Sequence, residues 1–147
     1  MDKIKLQSKT QALKGTVELD WFENQNIGLE KTLFHRITIP LKPFNSGLDY
    51  DEQPVNTKIE LDWYELGLAE PTELHGLDLN HQNYPSAEAS LYLGSAHNWC
   101  DVKALKLTKN ADGSYSAFAE LNIEFENEGV AENELFIFQT ILEIRKI

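Results

Sequence analysis

The sequence has one cysteine, Cys100, in 147 residues, so the chain forms no internal disulfide, and this usage indicates a reducing compartment. Its longest strongly apolar run, Leu135–Phe138, is far shorter than the roughly 20 residues of a membrane-spanning helix. The amino terminus lacks the apolar segment of a signal peptide. These absences predict a cytoplasmic protein with no membrane contact. The length and the 41% hydrophobic content predict a single domain over residues 1–147.

Motifs that carry catalysis are also missing, since the chain has no GxSxG, P-loop, GxGxxG, CxxC or HExxH sequence. His97 and Cys100 are spaced like a ligand pair, but a zinc site needs further ligands. Asp49–Pro54 begins like a calcium loop and then has proline where that loop needs glycine. We therefore predict no catalytic residue, no metal and no cofactor, and interpret Cys100 as a buried structural thiol.

Bases are scarce in the middle of the chain. The whole sequence has 24 Asp and Glu against 13 Lys and Arg, and residues 43–102 hold eleven acidic side chains with Lys58 as their one base. This balance disfavours nucleic-acid binding, which needs cations to neutralise phosphates. The negative field is either a solubilising surface or a means of steering a basic protein partner. On the second interpretation, the candidate partner-binding residues are Asp49, Asp51, Glu52, Glu60, Asp62, Glu65, Glu70, Glu73 and Asp78.

Apolar and polar residues alternate along much of the chain, which is the pattern of half-buried β-strands. The period is clearest over Ser114–Glu126, and Asp112-Gly113 before it predicts a tight hairpin with the preceding strand. Glu134–Ile144 is apolar on both faces, which predicts a strand covered on both sides. Residues 103–144 are thus predicted to form a three-stranded meander.

Helical signals are few. Pro71 near the start and Gly76 at the end predict one or two helical turns over residues 70–76. Seven or eight strands with one short helix indicate a mainly β fold, with α+β as the alternative. We expect an antiparallel sandwich or a strongly bent sheet. The three tryptophans are interpreted as core or cleft-lining residues.

One heptapeptide recurs: Val17–Glu23 (VELDWFE) returns as Ile59–Glu65 (IELDWYE). Each copy alternates an apolar face with an acidic one. Shared β-strand chemistry and a true internal repeat both explain the match, because seven residues are too few to separate them. If the two strands are neighbours in one sheet, their carboxylates lie about 5 Å apart and repel unless a partner relieves them.

The segment Tyr92–Val102, together with Asn122–Glu134, resembles small acidic bacterial immunity proteins of polymorphic toxin or contact-dependent growth inhibition systems. The resemblance covers residues 70–144 and consists of strand and turn patterns. It implies a cytoplasmic, non-catalytic protein that binds one cognate toxin domain, in many cases a basic nuclease, and blocks it. No catalytic residue carries over, and the slightly basic first 42 residues lie outside the resemblance.

Two functions from different classes remain open at this point. The first is an immunity protein whose carboxylates bind and neutralise a cognate basic toxin domain. The alternative is a small-ligand or carbohydrate-binding β domain, or a weak hydrolase, that uses Trp63, Trp99 and a carboxylate pair in a cleft.

Overall fold

The structure, a computed structural model, describes residues 1–145 as seven β-strands, one short α-helix and two 3-10 turns. In chain order these elements are α1 (Leu6–Lys9), β1 (Gly15–Asn24), a 3-10 turn (Gln25–Ile27), β2 (Leu29–Pro40), β3 (Lys58–Tyr64), β4 (Glu88–Leu93), β5 (Ala96–Lys109), β6 (Tyr115–Ile123), a 3-10 turn (Phe125–Glu128) and β7 (Glu134–Arg145). None of the helices among these residues is long and apolar enough to cross a bilayer.

The seven strands form a closed barrel in which each strand is hydrogen-bonded to the next in sequence. The prediction of a sandwich or an open, bent sheet is therefore wrong, although the mainly β character and the seven strands are confirmed. Six of the strand pairs are antiparallel, and the seventh closes the barrel by placing β7 parallel to β1. Local alternation reveals strands and hairpins, but not this contact between residues about 127 positions apart.

Glycine makes the closing contact possible. Gly15 pairs with Leu142 where β1 lies between β2 and β7. A Cβ at this position would lie 2.4 Å from the Thr38 carbonyl oxygen and 2.8 Å from a methyl carbon of Leu142. Any other residue would therefore push the neighbouring strands apart at the seam.

The barrel interior is filled by the inward-pointing side chains of the strands. Val17, Ile37, Leu61, Leu105 and Leu121 are all 0–1% exposed. Alternate residues face the core and the solvent, as the burial pattern of β6 illustrates. The strand ends are covered by connections rather than left open, and these connections contribute buried side chains of their own to the same core.

The predicted meander is confirmed, because β5, β6 and β7 pair consecutively and antiparallel, with a turn at Asn110–Gly113 between the first two. The predicted cover on both faces of β7 is wrong for its outer face. Leu135, Ile137 and Ile141 point outward and are 38–47% exposed. Outward apolar side chains on β7 produce the same sequence pattern as a strand buried on both sides.

The helix predicted over residues 70–76 is also wrong, and the one α-helix is α1. Residues 65–87 instead form an irregular connection, here called the strap, which places Leu74 in the core and runs antiparallel alongside β5 over residues 76–81. Some of its backbone groups bond within the strap, as the Glu73 N–H does to the Glu70 carbonyl, and others bond to the barrel. The Leu74 N–H donates to the Tyr115 hydroxyl, and the Leu79 N–H donates to the Leu105 carbonyl.

Candidate partner-binding face

The hairpin of β1 and β2 extends beyond the barrel wall. β1 contacts β7 only as far as Glu18, and β2 contacts β3 only from His35 onward, in the part of the chain that the structure describes. In their strand ladders, residues 20–34 therefore pair only with each other, and none of them is buried. Trp21 lies on this projecting hairpin and is 62% exposed, with the Lys31 ammonium 5.4 Å from its ring centre. Its interpretation as a core residue is therefore wrong.

A β-bulge in β3 controls the direction of Trp63. The register between β2 and β3 shifts so that Asp62 and Trp63 together lie opposite Arg36. Trp63 has φ 63°, a left-handed conformation that costs a non-glycine residue about 1–2 kcal/mol. The Asp62 carboxylate holds the bulge, because its Oδ1 accepts a 2.8 Å hydrogen bond from the Trp63 N–H. Bulges of this kind redirect a side chain that regular pairing would place elsewhere.

The redirected Trp63 joins an aromatic group on the outside of the barrel. Its ring meets Phe22 of β1 and Phe34 of β2 edge to face, with both centroid distances 5.3 Å. Beside Trp63 lies a surface groove of about 420 Å³. It is lined by Phe34, Glu65 and residues 83–87 of the strap. A group of partly exposed aromatic rings at the base of a projecting hairpin is typical of the apolar centre of a protein interface.

A row of charges lies directly beside these rings. Arg36 of β2 is held between Asp20 of β1 and Asp62 of β3, at 3.8 Å and 3.0 Å from their carboxylate oxygens. The hydrogen bond that Arg36 donates to the Asp62 carboxylate raises the pKa of Arg36, and the negative charges of Asp62 and Asp20 add to that effect. Together with the aromatic rings this row forms the surface that we call the Trp63 face: Asp20, Phe22, Phe34, Arg36, Asp62 and Trp63.

The recurring heptapeptide flanks Arg36. Its two copies lie in β1 and β3, which are not neighbours, because β2 runs between them. The expected repulsion between Asp20 and Asp62 is therefore relieved within the chain.

Of the nine sequence-predicted carboxylates, three form ion pairs with bases of the same chain. Asp62 pairs with Arg36, Glu60 with Lys58 at 3.3 Å, and Glu73 with Lys109 at 2.8 Å. The Lys109 ammonium lowers the pKa of Glu73. For these three residues the negative field toward a partner is weakened by the neighbouring cation.

Two more of the nine are hydrogen-bonded to uncharged groups. Asp51 accepts from the Ser46 hydroxyl at 3.1 Å, and Asp78 accepts from the Leu105 backbone N–H at 3.0 Å. Both are half-buried and hold their own connections in place.

The last four form no ion pair within 4.0 Å among residues 1–145 and are exposed: Asp49, Glu52, Glu65 and Glu70. They divide between two ends of β3. Asp49 and Glu52 lie in the connection that precedes this strand, whereas Glu65 and Glu70 lie in the strap that follows it. The structure thus separates these four residues into a pair before β3 and a pair after it, of which Glu65 lies beside Trp63.

Sequence reasoning missed Phe22 and Phe34 of the face and also Glu88 beside it. Glu88 of β4 lies directly opposite Asp62, is exposed, and has no cation within 4.0 Å in residues 1–145. Phe22 and Phe34 were assigned no site role, although both occupy outward positions of their strands. The available signal was an aromatic residue at a position where the alternation requires a polar one.

Groups with possible reactivity are placed elsewhere. Cys100 is fully buried, and burial raises the pKa of its thiol to about 12, which confirms the structural interpretation. Residues 1–145 contain no cluster of three His, Cys, Asp or Glu side chains arranged to hold a metal ion.

Comparisons of this chain with protein-family models, with curated proteins and with solved structures find no match. Function is therefore inferred from the geometry of the Trp63 face and its surroundings.

Proposed function

We propose that this protein is a non-catalytic binding protein that captures a cationic protein domain on the Trp63 face. The observation that carries the proposal is the combination of partly exposed aromatic rings with unpaired carboxylates beside them. Phe22 and Trp63 supply apolar contact area at the centre. Glu65 and Glu88 are exposed at the rim and have no cation of residues 1–145 within 4.0 Å. Aromatic anchors inside a charged rim are the usual anatomy of a specific interface.

Electrostatics supports a basic partner. The formal charge of −11 attracts a cation from a distance and raises the association rate, by roughly 10- to 1000-fold in favourable cases. The projecting β1–β2 hairpin carries two further acids, Glu23 and Glu30, together with one base, Lys31. The resemblance to immunity proteins suggests the identity of the partner, a toxin domain that this protein would bind and neutralise.

The test is a binding measurement with the carboxy-terminal domain of a toxin encoded beside this chain, or with a panel of basic toxin domains where several are encoded. We expect a 1:1 complex, weakened at least tenfold by Trp63→Ala. The matched control is Trp99→Ala, another half-exposed tryptophan outside the face, which should change affinity less than twofold. Failure of every tested domain to bind, or equal losses in the two variants, would contradict the proposal.

A small-ligand function has one observation in its favour, the groove in which Trp63 lies beside the Glu65 carboxylate. An aromatic ring next to an acid also suits a sugar. Thermal unfolding in the presence of a monosaccharide and oligosaccharide set separates the two functions. A stabilising shift that Trp63→Ala abolishes would support the sugar site, and the protein-binding proposal expects no such shift.

A further inference from the structure

Three aromatic side chains and one carboxylate line the groove beside Trp63, here called the Trp63 groove. The Phe34 and Trp63 rings meet with their planes 84° apart, and the strap supplies the third ring, Tyr84. All three aromatic residues are half-buried, and Glu65, two residues after Trp63, is exposed. The volume of about 420 Å³ is near the lower end of the roughly 300–1000 Å³ of ligand pockets, which suits a single side chain or a small molecule.

Tyr64 of the barrel core anchors two of these groups. It directly precedes Glu65, is fully buried, and donates its hydroxyl proton to the Leu79 carbonyl at 2.8 Å. The Tyr84 ring packs against the Tyr64 ring edge to face, with the centroids 5.7 Å apart. The Ala87 N–H donates to the Tyr84 carbonyl at 3.2 Å, so the strap turns tightly at this point. The groove is therefore formed before a ligand binds, which lowers the entropic cost of binding.

The charges around the Trp63 groove favour a cation. Among residues 1–145, no lysine or arginine lines the groove. Glu65 lines it and forms no ion pair within 4.0 Å in that part of the chain, and the exposed Glu88, next to the lining residues, forms none either. Arg36 is held between Asp20 and Asp62 and is not one of the lining residues. A ligand in the groove would therefore meet aromatic rings and an uncompensated negative charge.

A guanidinium group fits this combination. It is planar and stacks on aromatic faces, where the quadrupole of the ring attracts a cation. Its fork of N–H donors also matches a carboxylate with two parallel hydrogen bonds. A lysine ammonium is a compact and strongly hydrated charge, so it gains less from the rings. We propose that the Trp63 groove binds a guanidinium group against its aromatic rings and the Glu65 carboxylate, and that an arginine of the basic partner occupies it.

The source of the arginine is a partner protein and not a second copy of this chain. The sequence has two arginines, and both are paired within the chain, Arg36 with Asp62 and Arg145 with Glu18 at 3.2 Å. Arginine is also enriched among the residues that dominate protein interfaces. The identity of the occupant as a partner's arginine rests on the proposed function, whereas the affinity of the groove for a guanidinium group does not.

Titration of the protein alone with N-acetyl-arginine methylamide, followed by NMR of the backbone amides and indole N–H groups, tests the site without a partner. We expect saturable shifts of the Trp63 indole and the Glu65 amide, and little change at the Trp99 indole. The citrulline analogue has the same shape without the charge and should bind at least fivefold more weakly. The lysine analogue has the same charge, so the general attraction to the protein cancels, and it should bind at least twofold more weakly. No saturable shift at Trp63, or an analogue that binds as tightly as the arginine probe, would overturn the proposal.

Variants assign the affinity to the groove. Glu65→Gln removes the charge of an exposed side chain and keeps its size, so we expect the arginine probe to bind at least threefold more weakly. Glu70→Gln is the matched control, because Glu70 is another exposed acid of the strap but is not one of the lining residues. It should change the affinity less than 1.5-fold. An unchanged affinity in Glu65→Gln, or an equal loss in Glu70→Gln, would contradict the site.

The probe and the partner measurements fail separately. Without probe binding, the guanidinium site is wrong, and the Trp63→Ala measurement with toxin domains still decides the proposed function. If the probe binds as expected and every toxin domain fails to bind, the partner is wrong and the affinity of the groove for a guanidinium group stands.

Discussion

Asp62 holds Trp63 and Arg36 with its two different carboxylate oxygens. Oδ1 accepts the backbone N–H of Trp63 at 2.8 Å, and Oδ2 accepts the Arg36 Nε–H at 3.1 Å. One side chain thus stabilises the bulge that redirects the tryptophan and also neutralises the base beside it. The carboxylate that the sequence marked as a partner contact acts first as a support for the face.

Removal of Asp62 should therefore cost more than removal of a neighbouring exposed acid. We expect Asp62→Ala to lower the free energy of unfolding by about 1–2 kcal/mol, because the Trp63 N–H and the Arg36 guanidinium lose their acceptor. Glu60→Ala on the same strand is the control and should cost less than about 0.5 kcal/mol, since its ion pair with Lys58 is exposed. Urea denaturation measures both, and equal losses would show that Asp62 does not support the bulge.

The left-handed backbone at Trp63 predicts that a glycine variant is more stable than an alanine variant at this position. In a regular strand, glycine is less stable than alanine by roughly 0.5–1 kcal/mol. At φ 63° the order should reverse, so that Trp63→Gly is about 1 kcal/mol more stable than Trp63→Ala. The same pair of substitutions at Phe34, within β2, should show the ordinary order. If both sites show the ordinary order in urea denaturation, Trp63 is not strained.

Cys100 should be inert in the folded protein. Its side chain is 0% exposed, and a pKa of about 12 leaves almost no thiolate at pH 8. Incubation with iodoacetamide at pH 8, followed by mass spectrometry, should show no alkylation of the native protein and complete alkylation in urea. Rapid labelling of the folded chain would mean that the reagent reaches the Cys100 thiol without unfolding.

His35 should make global stability depend on pH. Its pKa is lowered by burial in the folded state, so the unfolded chain binds a proton that the folded one resists. The stabilising contribution is complete above about pH 6.5 and is lost as the pH falls from there toward the folded-state value. We expect His35→Gln to reduce the difference in unfolding free energy between pH 7.5 and pH 5.5. An unchanged difference would show that burial of His35 in the folded state does not make the free energy of unfolding depend on pH.

The sequence predicted those elements whose signal is local. The alternation over Ser114–Glu126 and the Asp112-Gly113 turn located the β5–β6 hairpin, because period and turn chemistry are determined by adjacent residues. The closure of the barrel was missed because it depends on Gly15 meeting Leu142, a contact that no local pattern encodes.

The candidate site was predicted only in part. The abundance of carboxylates was evident from composition, but their ion pairs depend on which strands become neighbours. Arg36 neutralises Asp20 and Asp62 only because β2 lies between the two copies of the heptapeptide. The outward direction of Trp63 could not be predicted, because its sequence alternates with Ile59 and Leu61 as in a regular strand and only the bulge redirects it.

The most direct test of the binding face is the association rate of a bound basic domain, measured by stopped flow at low and high salt with two charge-reversed proteins. One carries Glu65→Lys and Glu88→Lys beside the Trp63 face, and the other carries Asp49→Lys and Glu52→Lys at the far end of β3. The same change in net charge makes them a matched pair. We predict at least a tenfold slower association for the first at low salt and less than a threefold change for the second. Equal slowing, or slowing only in the second, would contradict binding at the Trp63 face.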